Sequence, residues 1–98
     1  MYIGTCLLTI EIPEAQSLKD KRSVVKSLVE RARRELRISA AEVGRLDDWE
    51  VAEVGLVCVS NSATKADQVI AAAVNWVERN LHDGGMLGDY ETEVIRAF

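Results

Sequence analysis

The sequence predicts an α+β fold in which four antiparallel strands pack against two helices. Three observations support this: strand-like stretches with period-two or fully apolar patterns, two stretches with apolar residues every three or four positions, and the order β-α-β-β-α-β. Hydrophobic residues make up 48% of the 98 residues, enough for one core without disulfides or metal ions. We therefore expect residues 1–98 to form a single domain.

The first strand and the first helix have the clearest patterns. Residues 2–12 alternate in polarity along an extended stretch that Pro13 ends. Ser17 is a suitable N-cap, and Asp20 three positions later resembles a capping box, so a helix begins here and runs to about Leu36. The helix has one apolar stripe, formed by Leu18, Val25, Leu28, Val29, Ala32 and Leu36.

The middle of the chain has the pattern of a β-hairpin. Residues 38–44 form the second strand, residues 45–49 form the loop, and residues 51–60 form the third strand. The third strand is apolar on both faces, which is typical of a central strand.

A second helix and a last strand complete the chain. Asn61 or Ser62 caps the helix, which runs to about residue 81, and residues 82–85, with the sequence HDGG, stop it. The final strand is best defined over residues 90–96.

This order of elements indicates the ferredoxin-like βαββαβ sandwich. Each helical connection is long enough to cross the sheet, and such crossovers are right-handed. The sheet would have the strand order 4-1-3-2, with both helices on one face. Other α+β arrangements of the same six elements are the alternative.

Positive charge is concentrated on the first helix. The chain has a net charge of −4, yet residues 17–37 hold eight of its twelve Lys and Arg residues and only three acids. On a helical wheel one flank of the apolar stripe carries five cations: Lys19, Arg22, Lys26, Arg33 and Arg37. This segregation favours a face that binds an external anion. The alternative is a solvated face whose long side chains cover apolar surface.

Three segments meet at one end of the predicted fold: residues 17–22, 45–49 and 82–88. Free N–H groups at a helix N-terminus already favour anions, so we expect Lys19, Lys21 and Arg22 to contact phosphate there. Glu42, Asp47 and Trp49 are possible accessory residues of this rim. For Asp47 and Trp49 we favour internal roles, with the indole buried as part of the core.

The sheet face opposite the helices is predicted to be open and apolar. It would expose Ile3, Leu7, Val51, Val57 and Val59, interleaved with threonines. Such a face is unusual on a monomer, so we expect a homodimer formed through it or through an edge strand. A lone domain with scattered valines is the alternative.

Several classes of function are disfavoured. The chain has no apolar run of about 18 residues, so we expect no membrane span. We also expect no signal peptide, because Met1 leads directly into strand-like sequence. Two cysteines and one histidine make zinc improbable, and Cys6 and Cys58 are expected to be reduced core thiols in a cytoplasmic protein.

Catalysis has little support in the sequence. The candidates are Glu42, Asp47 and His82, but no nucleophile–base pair, metal cluster or glycine-rich phosphate loop is visible. His82 is otherwise explained as a cation near the negative end of the second helix. We expect no cofactor and lean towards a protein that is not an enzyme.

Residues 17–28, with the sequence SLKDKRSVVKSL, resemble the signature of the small bacterial YlxP-like proteins, a family of unknown function. Other stretches that resemble the family are residues 41–44, Asp47 with Trp49, and residues 59–61. The resemblance implies a ferredoxin-like fold, a cytosolic protein and gene surroundings tied to translation and ribosome assembly. It also implies a set of recurrent polar and aromatic positions: Lys19, Lys21, Arg22, Lys26, Glu42, Asp47 and Trp49.

The sequence therefore predicts a non-catalytic module that contacts the phosphates of structured RNA, associated with the ribosome or translation. The residues expected to bind are Lys19, Lys21, Arg22, Lys26 and Arg33. The sheet strands lack the exposed aromatic residues on which RNA-recognition modules stack bases, so the helix should make the contacts. The alternative is a dimeric adaptor that docks an acidic protein partner on the same helix.

Overall fold

A computed structural model describes residues 1–81 and 84–98. The elements are β1 (Tyr2–Glu11), α1 (Leu18–Leu36), β2 (Ser39–Gly44), β3 (Val51–Ser60), α2 (Ala63–Asn80) and β4 (Met86–Arg96). The predicted order β-α-β-β-α-β is confirmed. The four strands form one antiparallel sheet in the order β2-β3-β1-β4, which is the predicted arrangement 4-1-3-2 read from the other edge.

The helices lie on one side of the sheet. α1 packs on β2 and β3, whereas α2 packs on β1, β4 and β3. The strands direct alternate residues into the layer between sheet and helices, and Leu8, Ile10, Val54 and Leu56 are almost completely buried there. The core is therefore a single layer, and the other sheet face remains open.

The first helix begins and ends as its sequence dictates. The Ser17 hydroxyl accepts a hydrogen bond from the Asp20 N–H at 3.1 Å, and the Asp20 carboxylate accepts one from the Gln16 N–H at 3.0 Å. Two free donors at the start of α1 are thereby satisfied. At the other end Arg37 adopts the left-handed conformation, with φ of 55°, and its N–H bonds to the Arg33 carbonyl.

The last strand is longer than expected, because it begins at Met86 rather than near residue 90. Met86 and Leu87 pair with Glu11 and Ile10, beyond a register shift between Leu8 and Ile10. Pairing between β1 and β4 therefore continues on the far side of this irregularity. β4 is consequently a long edge strand.

Within the described part of the chain, neither helix combines the length and the apolarity that a bilayer-spanning helix requires.

Candidate nucleic-acid interface

Lys21 is the most deeply buried charged side chain in the described chain, with 0% of its surface exposed. Its ammonium group donates hydrogen bonds to the Arg45 carbonyl at 2.6 Å and the Val51 carbonyl at 3.2 Å. It also lies 3.1 Å from Glu42 Oε2. The two carbonyls accept hydrogen bonds from the ammonium, and the Glu42 carboxylate balances its charge. Because the side chain is fully buried, the Lys21 ammonium is not accessible to an external phosphate.

The prediction that Lys21 binds an external anion therefore does not fit its position. Lys21 lies three and four residues before Val24 and Val25, on the side of α1 that faces the core. Its long apolar stem occupies a core position while its charged end reaches the β2–β3 loop. Lys21 instead forms an internal ion pair with Glu42 of β2.

Glu42 completes this buried contact. Its Oε2 atom is inaccessible to solvent and makes no well-aligned hydrogen bond among the described residues, although the side chain as a whole remains 20% exposed. The positive charge of the Lys21 ammonium therefore stabilises the Glu42 carboxylate. Breaking such a buried pair leaves an uncompensated charge, which typically costs more than the pair contributes.

The loop between β2 and β3 is held against the start of α1. Besides the Lys21 contacts, the Ile12 N–H donates to the Glu50 carbonyl at 2.7 Å. Arg45, in the left-handed region with φ of 56°, forms an exposed ion pair with Asp48. The hydrogen bond to Asp48, with the charge of that carboxylate, raises the pKa of the Arg45 guanidinium.

Trp49 lies at the surface of this loop, with 52% of its area exposed. The prediction of a buried indole was wrong; the side chain that connects this loop to α1 is Lys21. Asp47 is exposed as well and has no ion-pair partner among residues 1–81 and 84–98. An open groove of about 370 Å³ runs along the loop, lined by residues 45 and 47–51.

We use the name cationic row for the five exposed residues on the outer flank of α1: Lys19, Arg22, Lys26, Arg33 and Arg37. The Arg33 Nε–H donates to the Ala40 carbonyl at 2.9 Å, which places the row on the β2 side of the helix. In the part of the chain that the structure describes, no member of the row lies within 4.0 Å of a carboxylate. The row thus presents positive charge to solvent.

Arg31 has a separate, structural role on the opposite flank of α1. It donates a hydrogen bond to the Asn80 carbonyl at 2.8 Å, and its guanidinium lies 5.8 Å from the centre of the Trp76 ring. Such a cation–π contact is worth about 0.5–2 kcal/mol. Its partners Trp76 and Asn80 are far from Arg31 along the chain, so helical periodicity alone does not predict this contact.

Two of the three predicted rim segments are brought into contact. Residues 17–22 and the β2–β3 loop meet through Lys21. The start of β4 lies at the same end of the sheet but on its far side, since β1 and β3 separate β4 from β2. His82 and Asp83 lie outside the described residues.

The structure describes two of the three residues considered for catalysis, and these two have different surroundings. Glu42 is paired with Lys21, Asp47 is exposed on the loop, and His82 is not described. Among the described residues no group of three or more His, Cys, Asp or Glu side chains could hold a metal ion. Cys6 and Cys58 are free and buried, and burial raises the pKa of Cys6 to about 11.

Comparison with known proteins identifies the family. Residues 3–86 match the family described as DUF503, a protein family of unknown function. The chain belongs to this family. A curated relative, the uncharacterized protein YlxP of Bacillus subtilis (strain 168), is 28% identical over 67 residues, which cover 68% of this chain and 73% of the relative. The resemblance to YlxP-like proteins is confirmed.

Solved structures similar to this DUF503 protein show its fold alone. A de novo designed protein with a ferredoxin fold has a TM-score of 0.58 at 14% identity, covering 99% of this chain and 87% of the designed one. The de novo designed protein Foldit4 has a TM-score of 0.53 at 12% identity, with both chains fully covered. The predicted ferredoxin-like fold is confirmed.

Proposed function

We propose that this DUF503 protein is a non-catalytic module that binds the phosphate backbone of structured RNA through the cationic row of α1. The observation that supports this most directly is the exposure of five cations on one flank of an otherwise acidic protein, without carboxylate partners among the described residues. Lys21 is not part of the proposed site, because its ammonium is buried.

The length of the row suits a nucleic-acid backbone. From Lys19 to Arg37 the helix advances about 27 Å at 1.5 Å per residue, so the row could follow several consecutive phosphates. Contacts of this kind position a protein on RNA without reading its sequence. We therefore propose recognition of shape and charge, with ribosomal RNA as the first structured RNA to test.

The open sheet face is a poor alternative site for RNA. The central positions of that face are Thr5, Leu7 and Val57, and Glu91 and Glu93 border it on β4. Stacking of bases requires aromatic or guanidinium planes, and two carboxylates would repel phosphates. This distribution of charge is why the proposal assigns the contact to α1.

The test is binding of a 20-base-pair RNA duplex and of purified ribosomal RNA at several salt concentrations. About four phosphate contacts would give a slope of log K against log salt of about −3 to −4. The double variant Arg22→Glu/Lys26→Glu should lose binding while its circular dichroism and thermal midpoint remain unchanged. The matched control is Lys65→Glu/Arg79→Glu, which makes the same change of charge on exposed positions of α2.

Two results would contradict the proposal. One is unchanged RNA affinity in Arg22→Glu/Lys26→Glu. The other is binding of poly-glutamate with no binding of either RNA, which would indicate an adaptor for an acidic protein partner instead.

We also propose that the protein forms a homodimer, and the exposed apolar residues of the open sheet face favour that face as the interface. Ile3 lies between Val59 and Ile95 on neighbouring strands, forming an apolar row across three strands. Pairing of two β4 edges is disfavoured, because Asp89, Glu91 and Glu93 would bring like charges together.

A further inference from the structure

The third strand is longer than its neighbour on one side. β2 begins at Ser39, which pairs with Val57, whereas β3 continues to Ser60 and pairs with β1 along its whole length. Residues 58–60 therefore have no β2 residue beside them. This segment is an open stretch of sheet edge at the C-terminal end of β3.

A groove lies along this open edge. Its volume is about 600 Å³, and its apolar walls come from both sides of the sheet. Leu36 and Val69 lie on the helix side, and Val57 and Val59 lie on the open face. Val59 and Val69 are 66% and 40% exposed, so the groove has apolar surface that nothing within the described chain covers.

The charge of the groove selects among possible occupants. Arg37 is the one charged residue among its lining residues, and it lies at the junction between α1 and β2. No described carboxylate lies within 4.0 Å of its guanidinium. An occupant with a carboxylate at that junction would therefore complement the groove.

We propose that this groove binds an extended segment of a partner protein, which adds a short strand beside residues 58–60 of β3. Main-chain hydrogen bonds to an open edge and side-chain pockets on either side are the two elements of strand addition. The added strand would extend the line of β2 beyond Ser39. If it runs in the same direction as β2, it passes residue 60 first and residue 58 last, so its C-terminal end lies near Ser39 and Arg37. The bound segment therefore carries consecutive apolar residues followed by an aspartate or glutamate.

The probe is the capped peptide acetyl-Lys-Thr-Val-Ile-Val-Asp-amide, titrated into the labelled full chain and followed by amide chemical shifts. We expect saturable shifts at residues 58–60 and at Arg37. Replacing the aspartate of the peptide by asparagine, or Arg37→Asn in the protein, should weaken binding about two- to fivefold, as for a surface ion pair. Asparagine tolerates the left-handed conformation found at residue 37.

Val69→Asp is the decisive variant, since it places a charge in the groove without altering the open sheet face. It should weaken binding at least about tenfold. Ala72→Asp is the matched control, because it adds the same charge at another exposed position of α2 and should change affinity less than about twofold. The RNA variant Arg22→Glu/Lys26→Glu should bind the peptide normally, so this inference and the proposed RNA contact are tested separately.

Equal peptide affinity in wild type and Val69→Asp would overturn the inference. So would shifts of Arg37 and Val69 that depend on protein concentration without peptide, since a second copy of the chain would then occupy the groove. Val59 is left out of this criterion because it also lies on the sheet face proposed for the homodimer. The inference would also be overturned if the RNA duplex shifted the amide signals of residues 58–60 and the peptide did not.

Discussion

The Lys21 ammonium lies 3.1 Å from Glu42 Oε2 and also donates to the Arg45 and Val51 carbonyls. One side chain of α1 thus joins the end of β2, the β2–β3 loop and the start of β3. Because this loop carries the exposed Trp49, the contact holds that part of the surface beside the first turn of α1.

Removing the ammonium should destabilise the fold strongly. Lys21→Met keeps the apolar stem but leaves two carbonyls without their donor and a largely buried carboxylate without its opposite charge. We expect the free energy of unfolding to fall by about 3–5 kcal/mol, measured by urea denaturation. Lys26→Met, at an exposed position of the same helix, should change it by less than about 0.5 kcal/mol.

A double variant tests whether charge is the cause. Lys21→Met/Glu42→Leu removes the stranded carboxylate, so it should recover part of the loss. If Lys21→Met and Lys26→Met unfold at the same urea concentration, the structural role assigned to Lys21 is wrong.

Gly4 should not tolerate a side chain. A Cβ atom there would lie 2.8 Å from Ile70 Cγ1, 2.9 Å from Cys58 Sγ and 3.0 Å from the Ala66 carbonyl oxygen. α2 approaches β1 too closely for a methyl group, so Gly4→Ala should lower the thermal midpoint and cost about 1–3 kcal/mol.

Gly55→Ala is the control for this prediction, since it adds a methyl group on the open face of the sheet. The nearest atom is Val43 Cγ1 at 3.3 Å, on an exposed side chain that can move. We expect a smaller loss of stability than in Gly4→Ala; the reverse order would contradict the packing described for α2.

Stability should decrease as the pH rises from about 9 to about 11. Burial raises the pKa of Cys6 from 9.0 to about 11, so the unfolded chain releases the thiol proton at a lower pH than the folded chain. In that range the unfolded state binds fewer protons, and linkage favours unfolding. Cys6→Ala should flatten this part of the pH profile of urea unfolding. An unchanged slope in the variant would exclude Cys6 as its source.

Dimer formation can be tested by light scattering at tens of micromolar protein. The open face exposes Val57, and Val57→Lys should shift the mass towards that of a monomer because it places a charge in the proposed interface. Ala72→Lys on α2 should leave the mass of the wild type unchanged. A monomeric mass for the wild-type protein would refute the homodimer.

Much of the fold followed from local pattern. These features depend on residues that are close together in sequence, so the sequence predicts them: the alternation in β1, the two apolar faces of β3 and the N-cap at Ser17. The start of β4 was not predicted in this way, because Met86 and Leu87 are held by pairing with β1 across a register shift. That is a tertiary interaction, which local preference does not record.

The candidate site was predictable in part. The flank of α1 that carries Lys19, Arg22 and Lys26 followed from helical periodicity, and these residues are exposed. Lys21 was assigned by its charge, although its spacing from Val24 and Val25 placed it on the core side of the helix. The exposure of Trp49 could not be predicted from the sequence, since it depends on how the β2–β3 loop packs against α1, which is a tertiary arrangement.

The burial of Lys21 gives the protein an internal reporter. The chain has four lysines, and Lys19, Lys26 and Lys65 are open to solvent whereas Lys21 is not. An amine-reactive reagent such as acetic anhydride should label those three at once and reach Lys21 only when the hairpin swings away from the helix. The acetylation rate of Lys21, followed by mass spectrometry, would then measure how often the β2–β3 hairpin separates from α1.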